Sequence, residues 1–385
     1  MKITFPLDGF TQAVKWVLDV VDAKNINSTI RMDVNKDTGN TVFSAISMNG
    51  ERTFDLSGDL SDASDVAPYE LSAEVLKKAV DRFMGEEVVV EPDGANMVFH
   101  AGIKVKIPVL SGAVNVRKTA KKFEPIGTVS SQDLFDAAKY LSPITDPKSS
   151  RPNLASLDFT VDTDDGITIM ATDRFAFSTR RIQYSSDKEK KDRRFLITGD
   201  DVRKLNSLKD SGTVDLSESN SSVLFSFYNG ATATVNKVVD VTINYDALLQ
   251  SNRDDEQSFI VPVKQLISLV DTAAVLAEIS NDVYLHIRPD SLDVYNKGDI
   301  VHSSLDITSA TFTGDYRFAF SYEVIKETLS AINEDSVQVF FIGSGRTQAI
   351  IWKQLKADGT IDDSVYIMCL PLSLSDNRKD GEPVD

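Results

Sequence analysis

Two helix-like segments return three times along this chain, at intervals of about 125–130 residues, and a repeat of that length constrains the fold more than any single motif. The first series covers 7–18, 131–141 and 263–274; the second covers 71–80, 198–205 and 320–329. Each segment opens on a capping or turn residue and carries apolar side chains at helical spacing, with Lys or Arg on the other face. Between them lie short alternating runs such as Ser28-Thr-Ile-Arg-Met-Asp-Val34, Leu157-Asp-Phe-Thr-Val161 and Val283-Tyr-Leu-His-Ile287, bounded by Gly, Asp and Asn. Period-two alternation predicts half-buried antiparallel strands. Two helices and many strands per third predict an α+β fold, each domain packing its helix pair on antiparallel sheets.

A chain of 385 residues allows two to four domains, and the repeat selects three: 1–125, 126–252 and 253–374, with the polar tail 375–385 outside regular structure. Polar breaks at 121–129 and 250–257 set the boundaries. No apolar run approaches a membrane span, and Met1-Lys-Ile-Thr-Phe-Pro-Leu7 lacks the apolar core of a secretion signal. The single cysteine, Cys369, excludes an internal disulfide and a cysteine metal cluster, and a cytoplasmic location is the simplest expectation.

Catalysis finds little support. His100, His286 and His302 are far apart in strand-like contexts. The acidic runs Asp162-Thr-Asp-Asp165 and Asp362-Asp363 fall where hairpin turns are expected, without calcium-loop spacing. Gly343-Ser-Gly345 lacks the Lys-Ser/Thr ending of a phosphate loop. The expectation is a protein that is not an enzyme and needs neither cofactor nor metal.

The formal net charge of −17 argues against tight nucleic-acid binding by affinity. It does not exclude a ring held on DNA by topology, which needs only a weakly basic bore. The helical segments carry Lys15, Lys77, Lys78, Arg82, Lys139, Arg203, Lys204, Lys209, Lys264 and Lys326. One such helix reads as an ordinary amphipathic helix with a solvated face. Recurrence in every third favours a face turned toward an anionic partner. Asp19, Asp22, Glu74, Asp81 and Glu327 dilute it, so any attraction to DNA should be weak.

Two stretches carry a resemblance to a known family. Ala171-Thr-Asp-Arg-Phe-Ala-Phe-Ser-Thr-Arg180 resembles the middle-domain motif of the bacterial DNA polymerase III beta sliding clamps, and Tyr366-Ile-Met-Cys-Leu-Pro-Leu-Ser-Leu374 resembles their C-terminal motif. With the triplicate layout, the resemblance extends over nearly the whole chain to Leu374. It implies a head-to-tail homodimer forming a six-domain ring around duplex DNA without sequence preference. Such a ring tethers the replicative DNA polymerase as a processivity factor in DNA replication, and a clamp loader opens it. DNA-facing residues by position are Lys24, Lys77, Lys78, Arg82, Arg203, Lys204, Lys264 and Lys326. A partner-peptide pocket between the second and third domains would be lined by Leu154, Thr172, Arg174, Phe175, Phe177, Ile243, Leu248, Val324, Met368, Pro371 and Leu372. Of Phe175 and Phe177, one can face that junction while the other is core; Pro371–Leu374 either walls the pocket or merely completes a sheet. The subunit interface would join Val275 and Leu276 to the strand around Lys106 and Ile107, unless the first two belong to their own core.

The chain departs from the family at Ala176, where an Arg is usual, and at Thr242-Ile-Asn-Tyr-Asp-Ala247. This is a divergent pattern that a bacteriophage-encoded clamp would fit. The competing expectation is a structural repeat protein of a virion or cell surface with no role at DNA. It accounts for the acidity but not for basic helix faces in every third.

Overall fold

The structure is a computed structural model that describes residues 1–21, 28–64, 66–110, 122–163, 166–187, 191–208, 210–239, 243–244, 256–275, 282–296, 302–342 and 349–372. The first third runs β1 (Lys2–Pro6), α1 (Leu7–Leu18), β2 (Thr29–Val34), β3 (Asn40–Ile46), β4 (Gly50–Ser57), β5 (Asp59–Asp62), β6 (Tyr69–Ser72), α2 (Ala73–Val80), β7 (Glu87–Asp93), β8 (Asn96–Ala101) and β9 (Ile103–Pro108). The second runs β10 (Glu124–Ser130), α3 (Ser131–Leu141), β11 (Ser156–Val161), β12 (Gly166–Thr172), β13 (Ala176–Ser185), β14 (Arg193–Thr198), α4 (Gly199–Arg203), β15 (Thr213–Glu218), β16 (Ser222–Phe227) and β17 (Ala231–Asn236). The third runs β18 (Glu256–Pro262), α5 (Val263–Val275), β19 (Asp282–Ile287), β20 (Ser291–Asn296), β21 (His302–Asp306), β22 (Tyr316–Ser321), α6 (Tyr322–Ser330), β23 (Ser336–Ile342), β24 (Ile350–Leu355) and β25 (Val365–Cys369). The order strand, helix, four strands, helix, three strands occurs three times, with β5 an addition in the first.

The repeat extends to register. In each third the first strand pairs with the strand after the second helix: Pro6 opposite Glu87, Ser130 opposite Thr213, Pro262 opposite Ser336. The residue ahead of the second helix faces the strand after the first: Ser72 with Thr29, Thr198 with Ser156, Ser321 with Asp282. Two or three residues beyond the last strand, one main-chain bond closes each third: Leu110 N–H to Glu70 O at 2.8 Å, Val238 to Leu196 at 2.9 Å, Leu372 to Ala319 at 2.7 Å. Pro371–Leu372 therefore completes a sheet, as the residues before the two earlier linkers do.

Helix starts follow local capping. Ser72 Oγ accepts from Val75 N–H, so α2 begins at Ala73 and Leu71 belongs to β6, two residues later than the periodicity predicts. Thr198 Oγ1 accepts from Asp201 N–H at 3.2 Å and donates to its carboxylate at 2.6 Å. The α4 helix is only five residues long and tightens into a 3₁₀ turn over Lys204–Leu208, where the pattern predicts continuous helix.

The chain divides into two compact units: Met1–Asp133, Tyr184–Lys190 and Lys204–Lys237 form the first, and Leu134–Gln183, Lys191–Arg203 and Val238–Asp385 the second. In the first, the ladder β10-β15-β16-β17-β4-β3-β2-β6 lies alongside the sheet β5-β1-β7-β8-β9. Its cores hold Phe5, Phe10, Phe43 and Phe99, with Trp16 edge-on to Phe227. In the second, β18-β23-β24-β25-β13-β12-β11-β14 forms one ladder and β21-β20-β19-β22 the other. Phe259, Phe312 and Phe341 cluster there at 5.3–6.2 Å.

Each unit holds one seam between successive thirds, in the same register. Arg52 of β4 faces Ala233 of β17, and Ser178 of β13 faces Ile367 of β25. The first domain boundary expected from sequence, at 125–126, falls inside β10; the second, at 252–253, lies outside the described residues.

Candidate functional site

Two features of the structure could meet a partner: the helix cations and a patch at the β12–β13 turn. The cations Lys77, Lys78, Arg82, Arg203, Lys204, Lys264 and Lys326 are exposed on or just after their helices. Most have a carboxylate in reach. Lys78 pairs with Glu74 at 2.5 Å, Arg203 with Asp200 at 2.5 Å, Lys264 with Asp335 at 2.7 Å and Lys326 with Asp271 at 3.1 Å. Lys15 likewise meets Asp81 at 2.8 Å. Lys77 and Lys204 bear on Asp19, whose acidity burial weakens and whose charge they favour. Exposed pairs of this kind hold their partners only weakly, by about 0–1 kcal/mol, so phosphates can compete for the cations. Lys24 and Lys209 lie outside the described residues.

The second feature is built by the turn 172–176. Thr172 Oγ1 donates to Ala176 O at 2.7 Å and accepts from Arg174 N–H at 3.1 Å. Asp173 Oδ1 accepts from Phe175 N–H at 2.8 Å and Ala176 N–H at 2.6 Å. These bonds hold Arg174 at φ 92°, a conformation that non-glycine residues adopt only when their surroundings impose it. The turn presents the Phe175 ring outward, 50% exposed, with the Arg174 guanidinium 5.8 Å from its centre. Leu370 N–H donates to Phe175 O at 2.7 Å, which docks the end of β25 on the turn; Leu370 is itself 38% exposed.

Beside this pair runs an apolar row. Phe177 faces Met368, Met368 faces Ile351, and with Met170 they form a buried cluster flanked by Ile243, Phe340, Ala349 and Tyr366. Arg194 anchors the flank: it grips the fully buried carboxylate of Asp158 through two nitrogens, at 3.0 and 2.8 Å, and donates to Ile243 O. Of the residues expected to line a pocket, Leu154, Thr172, Phe177, Val324 and Met368 are buried, Ile243, Pro371 and Leu372 half-buried, and Arg174 and Phe175 exposed. Phe175 is thus the outward ring and Phe177 the core one. Leu248 lies outside the described residues. Met170, Ile351, Phe340 and Leu370 belong to the same patch and were absent from the expected lining.

Below it, Cys369 is fully buried, 3.2 Å from the Trp352 indole nitrogen, and burial pushes its thiol up to about 12, so it is no nucleophile. Behind the turn, burial and then the charges of Asp173, Glu323 and Asp146 push the Glu327 carboxyl up to about 7.

At the expected subunit interface, Val275 is 78% exposed, which takes it out of its own core; Leu276 lies outside the described residues. Ile107 is completely buried in its own unit. Lys106 pairs with Asp93 at 2.6 Å. The strand instead offers exposed Lys104 and half-buried Ile103 and Val105.

The other residues weighed for chemistry, where they are described, sit in local pairs and turns. His100 meets Glu91 at 3.1 Å. His286 is buried beside Arg288, Asp293 and Asp315 on one sheet, and burial lowers its basicity. Asp362 caps a turn through Ser364, and Gly343-Ser-Gly345 lies outside the described residues. No group of His, Cys, Asp and Glu among the described residues could hold a metal ion. No helix among them is long and apolar enough to cross a membrane. A polar cavity of about 850 Å³ in the first unit, lined by Lys122, Glu124, Glu218 and Lys237, is bridged by the Lys237–Glu218 ion pair and is remote in sequence from the patch.

No protein-family model matches the chain, and no curated protein sequence does. Solved structures match along its whole length. The DNA polymerase sliding clamp of Bacillus subtilis superposes with a TM-score of 0.83 at 17% identity, covering 97% of this chain and 99% of that one. The beta subunit of the Streptococcus pyogenes DNA polymerase gives 0.83 at 16% identity, covering 97% and 100%. The Pseudomonas aeruginosa sliding clamp bound to griselimycin gives 0.82 at 14% identity, again covering 97% and 100%. At such low identity a superposition of this extent establishes architecture: the chain has the fold of the bacterial DNA polymerase III beta sliding clamps, in a sequence far diverged from them.

Proposed function

We propose that two copies of this chain close into a ring of six clamp domains, three from each, that surrounds duplex DNA and tethers a replicative polymerase without catalysing a reaction. The observation that carries this reading is the repeated seam. In each unit the fourth strand of one sheet pairs with the last strand of the next third, β4 with β17 and β13 with β25, in one register. One strand of each kind has no such mate among the described residues, β9 of the first third and β21 of the last. A second copy supplies both mates, head to tail, and closed cyclic symmetry is the common solution for such edges.

The internal registers specify the intermolecular one. Phe99 faces Val105 as Phe225 faces Ala233 and Trp352 faces Ile367. Val294 faces Ser303 as Phe43 faces Phe54 and Ile169 faces Arg180. Carried over, Ile103 lies opposite Ser303 of the partner subunit and Lys104 opposite His302 of the partner subunit. Val275, exposed at the end of α5, covers this seam.

The helix cations supply weak, sequence-independent contacts to phosphates, and topology holds the DNA. The patch of Phe175, Leu370 and the Phe177–Met368 row receives a peptide from the polymerase or the clamp loader, which opens the ring. Burying two large apolar anchors there contributes roughly 1.5–3 kcal/mol each. The deciding experiment loads the protein on nicked circular duplex with a clamp loader and then linearises the DNA. Retention on the circle and loss on linearisation is expected; equal retention on both forms would overturn the ring.

A further inference from the structure

One face of the second unit's ladder carries a charged pair in line with the apolar row. Cross-strand pairing sets Arg194 opposite Thr160, Asp158 opposite Met170, Met170 opposite Thr179, and Phe177 opposite Met368. Partners in a ladder share a face, and so do residues two apart on one strand. Arg194, Asp158, Met170, Phe177 and Met368 therefore lie on one side of the sheet. Asp158 is completely buried there. Arg194 Nε reaches its Oδ1 at 3.0 Å, and Nη2 reaches its Oδ2 at 2.8 Å. Nη2 carries a second hydrogen, which goes to Ile243 O at 2.5 Å. Ile243 lies outside every helix and strand, is half-buried, and packs on the cluster of Met170, Phe177, Ile351 and Met368. No ladder sets its place. Its carbonyl is held by the guanidinium, and the guanidinium by the buried carboxylate.

A buried ion pair adds little net stability, and an apolar pair of similar volume often does as well or better. What an apolar pair cannot do is donate to a carbonyl. We propose that Arg194 is a positioning residue for the docking patch: clamped by Asp158, it holds Ile243 as a side wall of the Phe177–Met368 row and so sets how tightly a partner's apolar anchor seats. The inference rests on the peptide-docking reading above and names what shapes that site. A guanidinium suits the task, because its planar fork fixes direction as well as distance. Asp158 is closed off from solvent and cannot touch a docked peptide, so its influence on docking runs through Arg194. A binding surface is only as well defined as the groups that hold its walls in place.

The test uses the full chain and a fluorescent Gln-Leu-x-Leu-Phe peptide read by anisotropy, with thermal unfolding measured alongside. The main variant is Asp158→Leu/Arg194→Met, which exchanges the ion pair for an apolar one and removes the donor to Ile243 O. Its melting temperature is expected to match or exceed that of the wild type, which separates positioning from a merely structural role. Its peptide affinity is expected to fall about tenfold, the scale of losing one apolar wall. In an Ile243→Gly background the same exchange should change affinity by less than about twofold, because the wall is already gone. Asp158→Asn, which keeps the shape and releases the guanidinium, gives a smaller loss in the same direction should the double variant fold poorly. Unchanged affinity in these variants overturns the proposal and leaves the docking reading standing. An equal loss with and without the Ile243 side chain also overturns it, because Arg194 would then act by another route. Failure of the wild-type protein to bind the peptide overturns the docking reading and this inference with it.

Discussion

The two internal seams share a backbone and differ in what their outer face carries. At one position the β4–β17 seam sets Glu51 opposite Thr234, both half-buried; at the corresponding position the β13–β25 seam sets Phe177 opposite Met368, both buried. One step along, Thr53 and Thr232 share a hydrogen bond at 2.7 Å, whereas Thr179 faces Tyr366. Underneath, each seam is pinned by a buried arginine against an aromatic ring of a first-series helix. The Arg52 guanidinium lies 4.2 Å from the Trp16 ring centre and bonds the Trp16 carbonyl; that of Arg180 lies 4.5 Å from Tyr140 and bonds the carbonyl of Ala331, the residue that ends α6. Burial lowers the Arg180 guanidinium to about 10, which leaves it charged at neutral pH. A repeated scaffold thus became a candidate docking surface on one seam alone, through an apolar cross-strand pair and the turn that displays Phe175.

The largest effect should come from that apolar pair. Phe177→Ala removes a ring that is 1% exposed, and such truncations cost about 3–5 kcal/mol. Thr234→Ala, at the matching place of the other seam, should stay within about 0.5 kcal/mol. Urea unfolding of the full chain measures both. Similar costs at the two positions would end the distinction between the seams.

In the proposed ring a third seam forms with a second copy. Val275→Asp should leave the protein folded, because the residue is exposed in the single chain, yet place a charge in the closed interface. Dimerisation should weaken about 100-fold, close to 2.8 kcal/mol, by analytical ultracentrifugation. The intact dimer should weigh about 85 kDa, twice the chain mass of 42.4 kDa. An unchanged dimer in the variant removes Val275 from the seam.

What was legible in the sequence follows from the range of each signal. Helix periodicity is local, so α1, α3 and α5 fall where the repeat places them. The caps Ser72 and Thr198 correct the second series by a residue or two, because the side chain that starts the helix ends the strand before it. Register is not local. That Ala233 faces Arg52 depends on residues 181 positions apart. The motif around Phe177 and Met368 marked the candidate row, but Met170, Ile351 and Phe340 join it from other strands, through pairings the sequence does not display. The helix cations were legible, whereas Asp335, Asp271 and Asp81, which pair with Lys264, Lys326 and Lys15, lie on other elements.

Beside the second seam, Glu327 carries its own pH signature. Burial and like charges raise the Glu327 carboxyl from 4.5 to about 7, so the folded state holds that proton more tightly than the unfolded chain. Stability from this group is present below about 4.5 and declines as pH rises through about 7. Glu327→Gln removes the decline. Melting temperatures of the variant should rise relative to wild type between pH 5 and 8, by a few degrees at most. A parallel pair of curves would mean that Glu327 titrates normally.

The smallest effect separates the helix cations from the carboxylates that neutralise them. If DNA is held by topology, phosphate contacts need only be weak, and the local pairs keep them so. Lys264 and Asp335 are both more than 80% exposed, and their contact of 2.7 Å raises the basicity of the lysine and lowers the pKa of the aspartate. Asp335→Asn removes the competitor and leaves the lysine in place. Binding to linear duplex should strengthen about twofold, and the slope of log affinity against log salt should steepen by up to about one unit, the amount associated with one further phosphate contact. Lys264→Glu should move both quantities the other way. Titrations from 50 to 200 mM salt on a short duplex would measure this. If Asp335→Asn leaves affinity and slope unchanged while Lys264→Glu lowers both, the lysine already reaches phosphate despite its partner. If neither variant has an effect, this helix does not face DNA, and the cations of the first-series helices lose their common role.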